Sequence, residues 1–243
     1  MRLPRLYAPG EVQLAQVRFM PDLAGLWPDP ESGRLLDLIA GWLGEQVKAQ
    51  RLSLHAWATS PERLLLLASV QERNSLSRAI QAIGRRLAAE LRTGRVFEGR
   101  FKSALIEPAW VLTAQVWLES CPLFDGYASD PVTWRWSSAA SHAGTVQTAG
   151  QQPVHLSDHE SYWACGNTPF DRQAVYRTRL MQGLSAAERS PVEAALTGQW
   201  ALGSETYVAE LAKMASRRVV PGRRGRPSNK ANSGKNDDPS LLK

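Results

Sequence analysis

Hydrophobic residues change their spacing several times between Val12 and Glu119, and the order of these changes constrains the fold most. Alternating or continuous apolar runs indicate strands, whereas apolar residues three or four positions apart indicate amphipathic helices. The segments are strand 12–19, helix from Ser32 to about 47, strand 52–57, strand 63–70, helix from 74 or 75 to 91, strand 103–106 and helix 108–119. This order predicts an α+β fold with a ferredoxin-like split βαβ sheet, and we expect its helices on one face.

The rest of the chain is less regular and ends in a polar segment. Ser185 and Glu188 form a capping-box pattern, and Ser204 precedes a further helical stripe. From Arg217 onward the chain is rich in Gly, Pro, Ser, Asn and Lys, a composition that is typical of disorder. We therefore predict a sheet domain over 1–140, a helical extension over 141–216 and a disordered basic tail over 217–243.

The net charge of +6 is unevenly distributed. Residues 217–243 contain eight basic and two acidic side chains and carry the whole excess. Within the balanced body, residues 85–102, here called the basic segment, contain six basic and two acidic side chains. Two such zones favour an anionic partner, most simply nucleic acid. A solvated helix face with a solubilising tail is the alternative explanation.

Several function classes are disfavoured by composition. No apolar run approaches the roughly 20 residues of a membrane helix, so we expect no membrane partner. Residues 1–10 lack the apolar core of a signal peptide, and we therefore expect a cytoplasmic protein. Two cysteines, Cys121 and Cys165, cannot form a disulfide framework. His155, His159 and Cys165 have a spacing that could hold zinc, but their loop-like context predicts two exposed histidines and no metal site.

Short motifs spread along the chain carry a family resemblance. The most specific is Phe97–Ser103, an aromatic-Glu-Gly-Arg-aromatic-Lys-Ser segment. The others are Leu-Pro-Arg-Leu at 3–6 with Pro-Gly at 9–10, His-Ala-Trp at 55–57 with Pro61, Gly-Arg-Arg at 84–86, Trp-Ser-Ser at 136–138, Leu-Gly-Ser-Glu at 202–205 and Arg-Gly-Arg-Pro at 224–227. In this order they resemble the REP-associated tyrosine transposases, relatives of the insertion-sequence-200-like HUH single-strand transposases.

The resemblance implies a ferredoxin-like domain that binds single-stranded DNA hairpins and acts in DNA transposition and recombination of mobile elements. In the family, a His-hydrophobic-His pair on a central strand holds a divalent cation, which neutralises and orients the phosphate. A helix tyrosine then attacks the scissile phosphate and forms a covalent phosphotyrosine link. Family members commonly form dimers, so the resemblance also implies self-association.

The catalytic positions of the family are substituted in this chain. Aligned on His55-Ala56 and Pro61, the two metal histidines correspond to Arg63 and Leu65. The nucleophilic tyrosine corresponds to Trp117, which has no hydroxyl group. An arginine stays protonated and a leucine has no donor atom, so we expect no metal cofactor. We therefore predict a divergent DNA-binding member that is catalytically inactive.

Alternatives remain open for the substituted positions. The guanidinium of Arg63 either binds a phosphate directly, or it lies in water while the aliphatic part of the side chain covers apolar surface. Trp117 either stacks on a base or, as we favour, belongs to the core. One alternative function is an active transposase whose catalytic groups lie at other positions, with Tyr127 as the nearest hydroxyl group. Another is a decayed scaffold that binds a protein partner.

The DNA-binding residues are predicted from the basic segment and the tail. A row of cations can follow a phosphate backbone without reading its sequence. Arg224 and Arg226, in Arg-Gly-Arg-Pro, resemble an AT-hook core that enters a narrow minor groove. The predicted set is Arg85, Arg86, Arg92, Arg95, Arg100, Lys102, Arg224 and Arg226.

Overall fold

The strands expected from the sequence pair into a single mixed sheet. The computed structural model describes residues 4–21, 23, 33–145, 154–215 and 217–222. Its strands are β1 (Val12–Arg18), β2 (Ser53–Thr59), β3 (Arg63–Ser69), β4 (Lys102–Ile106) and β5 (Ala201–Leu202). They hydrogen-bond in the order β2-β3-β1-β4-β5. The first four pair antiparallel, and the short β5 runs parallel to β4.

The helices alternate with these strands in the predicted order as far as the third helix. They are α1 (Arg34–Ala49), α2 (Ser75–Glu90), α3 (Pro108–Phe124), α4 (Ala139–His142), α5 (Glu160–Trp163), α6 (Pro169–Gln182), α7 (Ala186–Gly198) and α8 (Glu205–Met214). The predicted capping box at Ser185 and Glu188 forms at the start of α7, and the Ser204 side chain caps α8. The mixed α+β class is thereby confirmed.

Two helix boundaries differ from the sequence expectation. The predicted cap Ser32 lies outside the described residues, and Gly33 is the N-cap of α1 with φ of 59°. A side chain at Gly33 would collide with the Trp136 ring, so glycine is required there. The helix α3 extends beyond 119 and through Pro122, because the amides of Asp125 and Tyr127 still bond back to the carbonyls of Cys121 and Pro122.

Helices cover both faces of the sheet, whereas one covered face was expected. The continuous leucine run in β3 explains the difference, because successive side chains point to opposite faces and all of them are apolar. One face buries Ala15, Val17, Leu54, Leu64, Leu66 and Ala68 together with residues of α1 and α2. The other buries Val12, Leu14, Ala56, Leu65, Leu67 and Ala104 together with residues of α3 and α7.

The helices α5, α6 and α7 pack on α3, whereas α8 packs against the N-terminal segment and β5. Val116 on the outer side of α3 shares a core cluster with Tyr162, Tyr176 and Leu180. The helix α3 is therefore enclosed between the sheet and the helical extension, which explains why its middle is apolar nearly all round. Within the described ranges, no helix combines the length and apolarity needed to cross a bilayer.

Candidate nucleic-acid interface

Arg63, at the first position of β3, forms an internal ion pair with Asp125 at the end of α3. Its Nε and Nη2 donate to Asp125 Oδ2 at 2.9 and 2.7 Å. Nη1 donates to Gln16 Oε1 at 3.4 Å, and the Arg63 side chain is 16% exposed. Neither sequence interpretation of Arg63 is therefore correct. The guanidinium is held by a carboxylate inside the fold, and it faces neither open solvent nor a free phosphate position.

Leu65 and Trp117 are core residues on the same side of the sheet. Leu65 is 1% exposed, and Trp117, on α3, is 3% exposed. The indole Nε1 of Trp117 donates to Glu193 Oε1 on α7 at 3.2 Å, which satisfies its one polar group. The core interpretation of Trp117 therefore holds, and base stacking is excluded by its burial. We call Arg63, Leu65, Trp117 and Asp125 the closed centre.

The closed centre does not fit a divalent cation. Arg63 presents a guanidinium and Leu65 an alkyl side chain, neither of which can be a metal ligand, and Asp125 is already paired with Arg63. In the part of the chain that the structure describes, no group of three or more His, Cys, Asp or Glu side chains could hold a metal ion. His155 is exposed, but His159 is half-buried, because its side chain caps α5.

Tyr127, the nearest hydroxyl on which a relocated activity could depend, lies in acidic surroundings. Its hydroxyl donates to Glu62 Oε1 at 3.4 Å. Burial and the charges of Glu62 and Asp125 raise the pKa of Tyr127 above its usual value. A nucleophilic tyrosine needs the opposite environment, in which the phenolate is stabilised and the phosphate attracted. The local electrostatics therefore oppose strand cleavage by Tyr127.

Part of the basic segment is already engaged within the protein. Arg86 pairs with Glu45 of α1. Arg95 donates to the carbonyl of Phe97 at 2.8 Å and also to the carbonyl of Glu98. Among the described residues, Arg85, Arg92, Arg100 and Lys102 are exposed and form no ion pair. Arg224 and Arg226 lie outside the described residues.

The free cations of the basic segment do not share one side of the sheet. Arg85 is on the solvent side of α2, which covers one face. Lys102 is opposite Gln16, which in turn is opposite Leu65, so its side chain belongs to the α3 face. The basic segment is thus divided between two surfaces, because α2 and β4 place their cations on opposite faces of the sheet.

The family-like motifs around the basic segment are explained by packing. The Phe97 ring lies where a side chain on residue 84 would be, so Gly84 and Phe97 fit together. Trp136 donates its indole N–H to Asp37 at 2.8 Å, and its carbonyl accepts from the Thr59 amide at 2.9 Å. The first motif packs a loop against α2, and the second connects a loop to α1 and to β2, which gives both a structural role.

A buried polar cluster escaped the sequence analysis. The Glu119 carboxylate is fully buried and accepts hydrogen bonds from Ser138 Oγ at 2.5 Å and Tyr176 Oη at 2.7 Å. Glu119 is also 2.6 Å from His142 Nδ1. Burial and the charge of Glu119 raise the pKa of Tyr176 well above its usual value. Because every member is buried, no substrate reaches this cluster, and it links α3 to α4 and α6.

Comparison with solved structures identifies one fold likeness. The structure of a REP-associated tyrosine transposase bound to a REP hairpin matches with a TM-score of 0.51 and 12% sequence identity. The match covers 66% of this chain and 96% of that chain. At this identity the likeness concerns the fold alone. No protein-family model matches the sequence, and no curated protein matches it.

Proposed function

We propose that this chain binds DNA on the fold that it shares with the hairpin-bound transposase, and that it does not cleave strands. One observation carries the proposal: Arg63, Leu65 and Trp117 occupy a closed, packed centre instead of an open catalytic site. The phosphotyrosine reaction requires a hydroxyl nucleophile at position 117 and metal ligands at 63 and 65. None of these groups is present at those positions.

The finer features of the proposal follow the family resemblance. Residues 1–140 form a ferredoxin-like domain, supported by the antiparallel order β2-β3-β1-β4 with α1 and α2 on one face. Residues 141–216 form the helical extension, and 217–243 form the basic tail. The expected disorder of this tail is wrong at its start, because Val219 is buried beside Leu211. Residues 223–243 lie outside the described residues. The preferred ligand is a single-stranded DNA hairpin from a mobile element. The protein self-associates, uses no cofactor and acts in the cytoplasm.

DNA binding is assigned to exposed cations on both sides of the sheet that form no ion pair among the described residues. Arg85, Arg92, Arg100 and Lys102 are exposed and contribute directly, whereas Arg86 and Arg95 would first have to leave their partners in the fold. Arg224 and Arg226 add non-specific affinity from the tail. Each neutralised phosphate releases counterions, so binding weakens steeply with salt.

A hairpin titration tests the binding proposal. Fluorescence anisotropy of a labelled single-stranded hairpin is measured with the full chain, with an unstructured strand of equal length and a duplex as competitors over a salt series. We expect the hairpin to bind at least about tenfold more tightly than either control. The double variant Arg224→Ala/Arg226→Ala retains this preference if the folded part of the chain recognises the hairpin. Equal affinity for all three ligands, lost in the double variant, would instead favour the decayed scaffold.

An adduct assay tests the absence of cleavage. The full chain is incubated with the hairpin substrate and Mg²⁺ or Mn²⁺, and covalent products are separated on a denaturing gel. We expect no protein–DNA adduct. An adduct that disappears in Tyr127→Phe would establish a relocated nucleophile and overturn the inactive assignment.

A further inference from the structure

A cavity of about 220 Å³ lies on the opposite side of the molecule from the closed centre. It is formed where the N-terminal segment crosses the sheet beside the start of α2. Arginines from three distant parts of the chain line it: Arg5, Arg73 and Arg100. We call it the arginine cavity. Sequence analysis identified Arg100 alone among these residues as a binding candidate.

The described lining of the arginine cavity carries a net positive charge. No aspartate or glutamate is among the described residues that line it. The Arg5 guanidinium lies 3.6 Å from the centroid of the Phe101 ring, and its Nε donates to the Phe101 carbonyl at 3.2 Å. Burial and the positive charge of Arg100 lower the pKa of Arg5 to about 10. An anion entering the cavity would relieve this repulsion.

A buried amide also faces the cavity. Gln13, on β1, is 5% exposed and lines the cavity wall. It lies opposite Ala68 and Leu105 in the sheet, on the face that α2 covers. Across the described part of the chain, its side chain forms no hydrogen bond. The amide is open only toward this space, so it is positioned to bind a polar ligand that enters the cavity.

The N-terminal end of α2 contributes partial positive charge to the arginine cavity. Its N-cap, Asn74, makes no side-chain hydrogen bond to the first turn, and the first turn contains no acidic residue. Asn74 and Ser77 both line the cavity. The N-terminal end of a helix attracts anions through its partial positive charge and its free amide groups. The helix end, the arginines and Gln13 thus converge on one space.

We propose that the arginine cavity binds the terminal phosphate monoester of a DNA strand, an inference that rests on the proposed DNA-binding function. A phosphate monoester carries close to two negative charges at neutral pH, whereas an internal phosphodiester carries one. The guanidinium groups of Arg5 and Arg100, beside the N-terminal end of α2, match the doubly charged monoester better. The volume is below the roughly 300–1,000 Å³ of pockets for drug-sized ligands. It therefore suits a phosphate and its sugar, with the strand leaving on one side.

The experiment compares strand ends on the full chain. One hairpin sequence is prepared with a 5′-phosphate, with a 3′-phosphate and with hydroxyl groups at both ends, and each affinity is measured by anisotropy at constant salt. We expect one phosphorylated end to bind about tenfold more tightly than the hydroxyl form. Which end shows the gain identifies the strand terminus that enters the cavity.

A variant then tests whether the arginine cavity causes the tighter binding of the phosphorylated end. Gln13→Leu removes the buried amide at similar volume and should reduce the phosphate-dependent gain to about threefold or less. Arg92→Ala, outside the cavity, should weaken phosphorylated and hydroxyl hairpins by the same factor. The comparison of ends needs no variant, so it remains decisive if Gln13→Leu does not fold.

The outcomes separate the two proposals. Equal affinity for phosphate and hydroxyl ends, with hairpin binding intact, would overturn the cavity proposal and leave DNA binding in place. A phosphate-dependent gain that Gln13→Leu leaves unchanged would place the terminal phosphate elsewhere and overturn the cavity as its site. Absence of binding to any hairpin would overturn both.

Discussion

Two half-buried arginines, Arg63 and Arg5, differ in the groups that surround their charges. Arg63 forms a two-pronged ion pair with Asp125, and both side chains are largely removed from solvent. Arg5 meets an aromatic ring and a carbonyl, with Arg100 near it and a cavity in front. The first charge is neutralised inside the protein. The second remains available, so the presence or absence of a carboxylate separates a structural arginine from a candidate binding arginine.

The two regions also lie on opposite faces of the sheet. Leu65 of the closed centre belongs to the face under α3, and Gln13 of the arginine cavity belongs to the face under α2. The face that would hold catalytic groups in the resembling family is sealed by α3 and α7. The proposed phosphate site and the closed centre are therefore separated by the sheet.

The largest expected effect is on the packing of the closed centre. Trp117→Ala would leave a cavity between β3, α3 and α7 and should lower the free energy of unfolding by about 4 kcal/mol. Urea denaturation followed by far-UV circular dichroism measures this change. Arg92→Ala, on the exposed side, should change stability by less than about 0.5 kcal/mol. Similar values for the two variants would mean that the centre is not closed.

The ion pair comes next in expected effect. Asp125→Ala leaves the half-buried Arg63 charge without its carboxylate and should reduce the free energy of unfolding by about 3 kcal/mol. The double variant Arg63→Leu/Asp125→Leu removes both charges and should recover most of that loss. Urea denaturation of the two variants and the parent makes the comparison. A double variant no more stable than Asp125→Ala would show that the pair is not an isolated electrostatic unit.

The smallest expected effect is a pH dependence of stability that arises from the buried imidazole of His55. The imidazole of His55 lies 2.6 Å from the Ser157 carbonyl through Nδ1 and 2.9 Å from Ser69 Oγ through Nε2. Burial lowers the pKa of His55 to about 4, and the Ser157 contact only partly opposes this shift. The unfolded state then binds more protons, so stability is full above about pH 6.5 and falls as the pH drops toward 4.

The pH effect is measured by urea denaturation at pH 6.5 and pH 5. The parent should lose about 2 kcal/mol through His55 over this range. His55→Gln should lose correspondingly less, while His155→Gln, at an exposed position, should behave as the parent does. An unchanged pH slope in His55→Gln would show that the imidazole is not kept neutral by burial.

The order of elements could be predicted from the sequence because hydrophobic spacing is a local property. The stripes in α1 and α2, the leucine run of β3 and the proline that begins α3 each specify a segment without reference to the rest of the chain. Side-chain capping at Ser185 and Ser204 is equally local. For the same reason, the substitutions at 63, 65 and 117 could be recognised before any partner was known.

The surroundings of the site residues required the tertiary structure. Arg63 and Asp125 are 62 positions apart, and no local pattern connects them. The sequence also presents residues 85–102 as one basic segment, whereas pairing of β4 with β1 places Lys102 on the face opposite α2. The two-sided covering of the sheet depends on α7, which lies far along the chain.

By itself, the sequence determined the strands and helices of the first half, the absence of the family's catalytic side chains at 63, 65 and 117, and the excess of cations. Only the tertiary structure decided which cations are neutralised. Arg63 and Arg86 pair with carboxylates, whereas Arg5 lies close enough to Arg100 to be repelled by its charge. The reason is physical: secondary structure follows from local spacing, but the energy of a charge depends on every group that folding brings within a few ångströms of it.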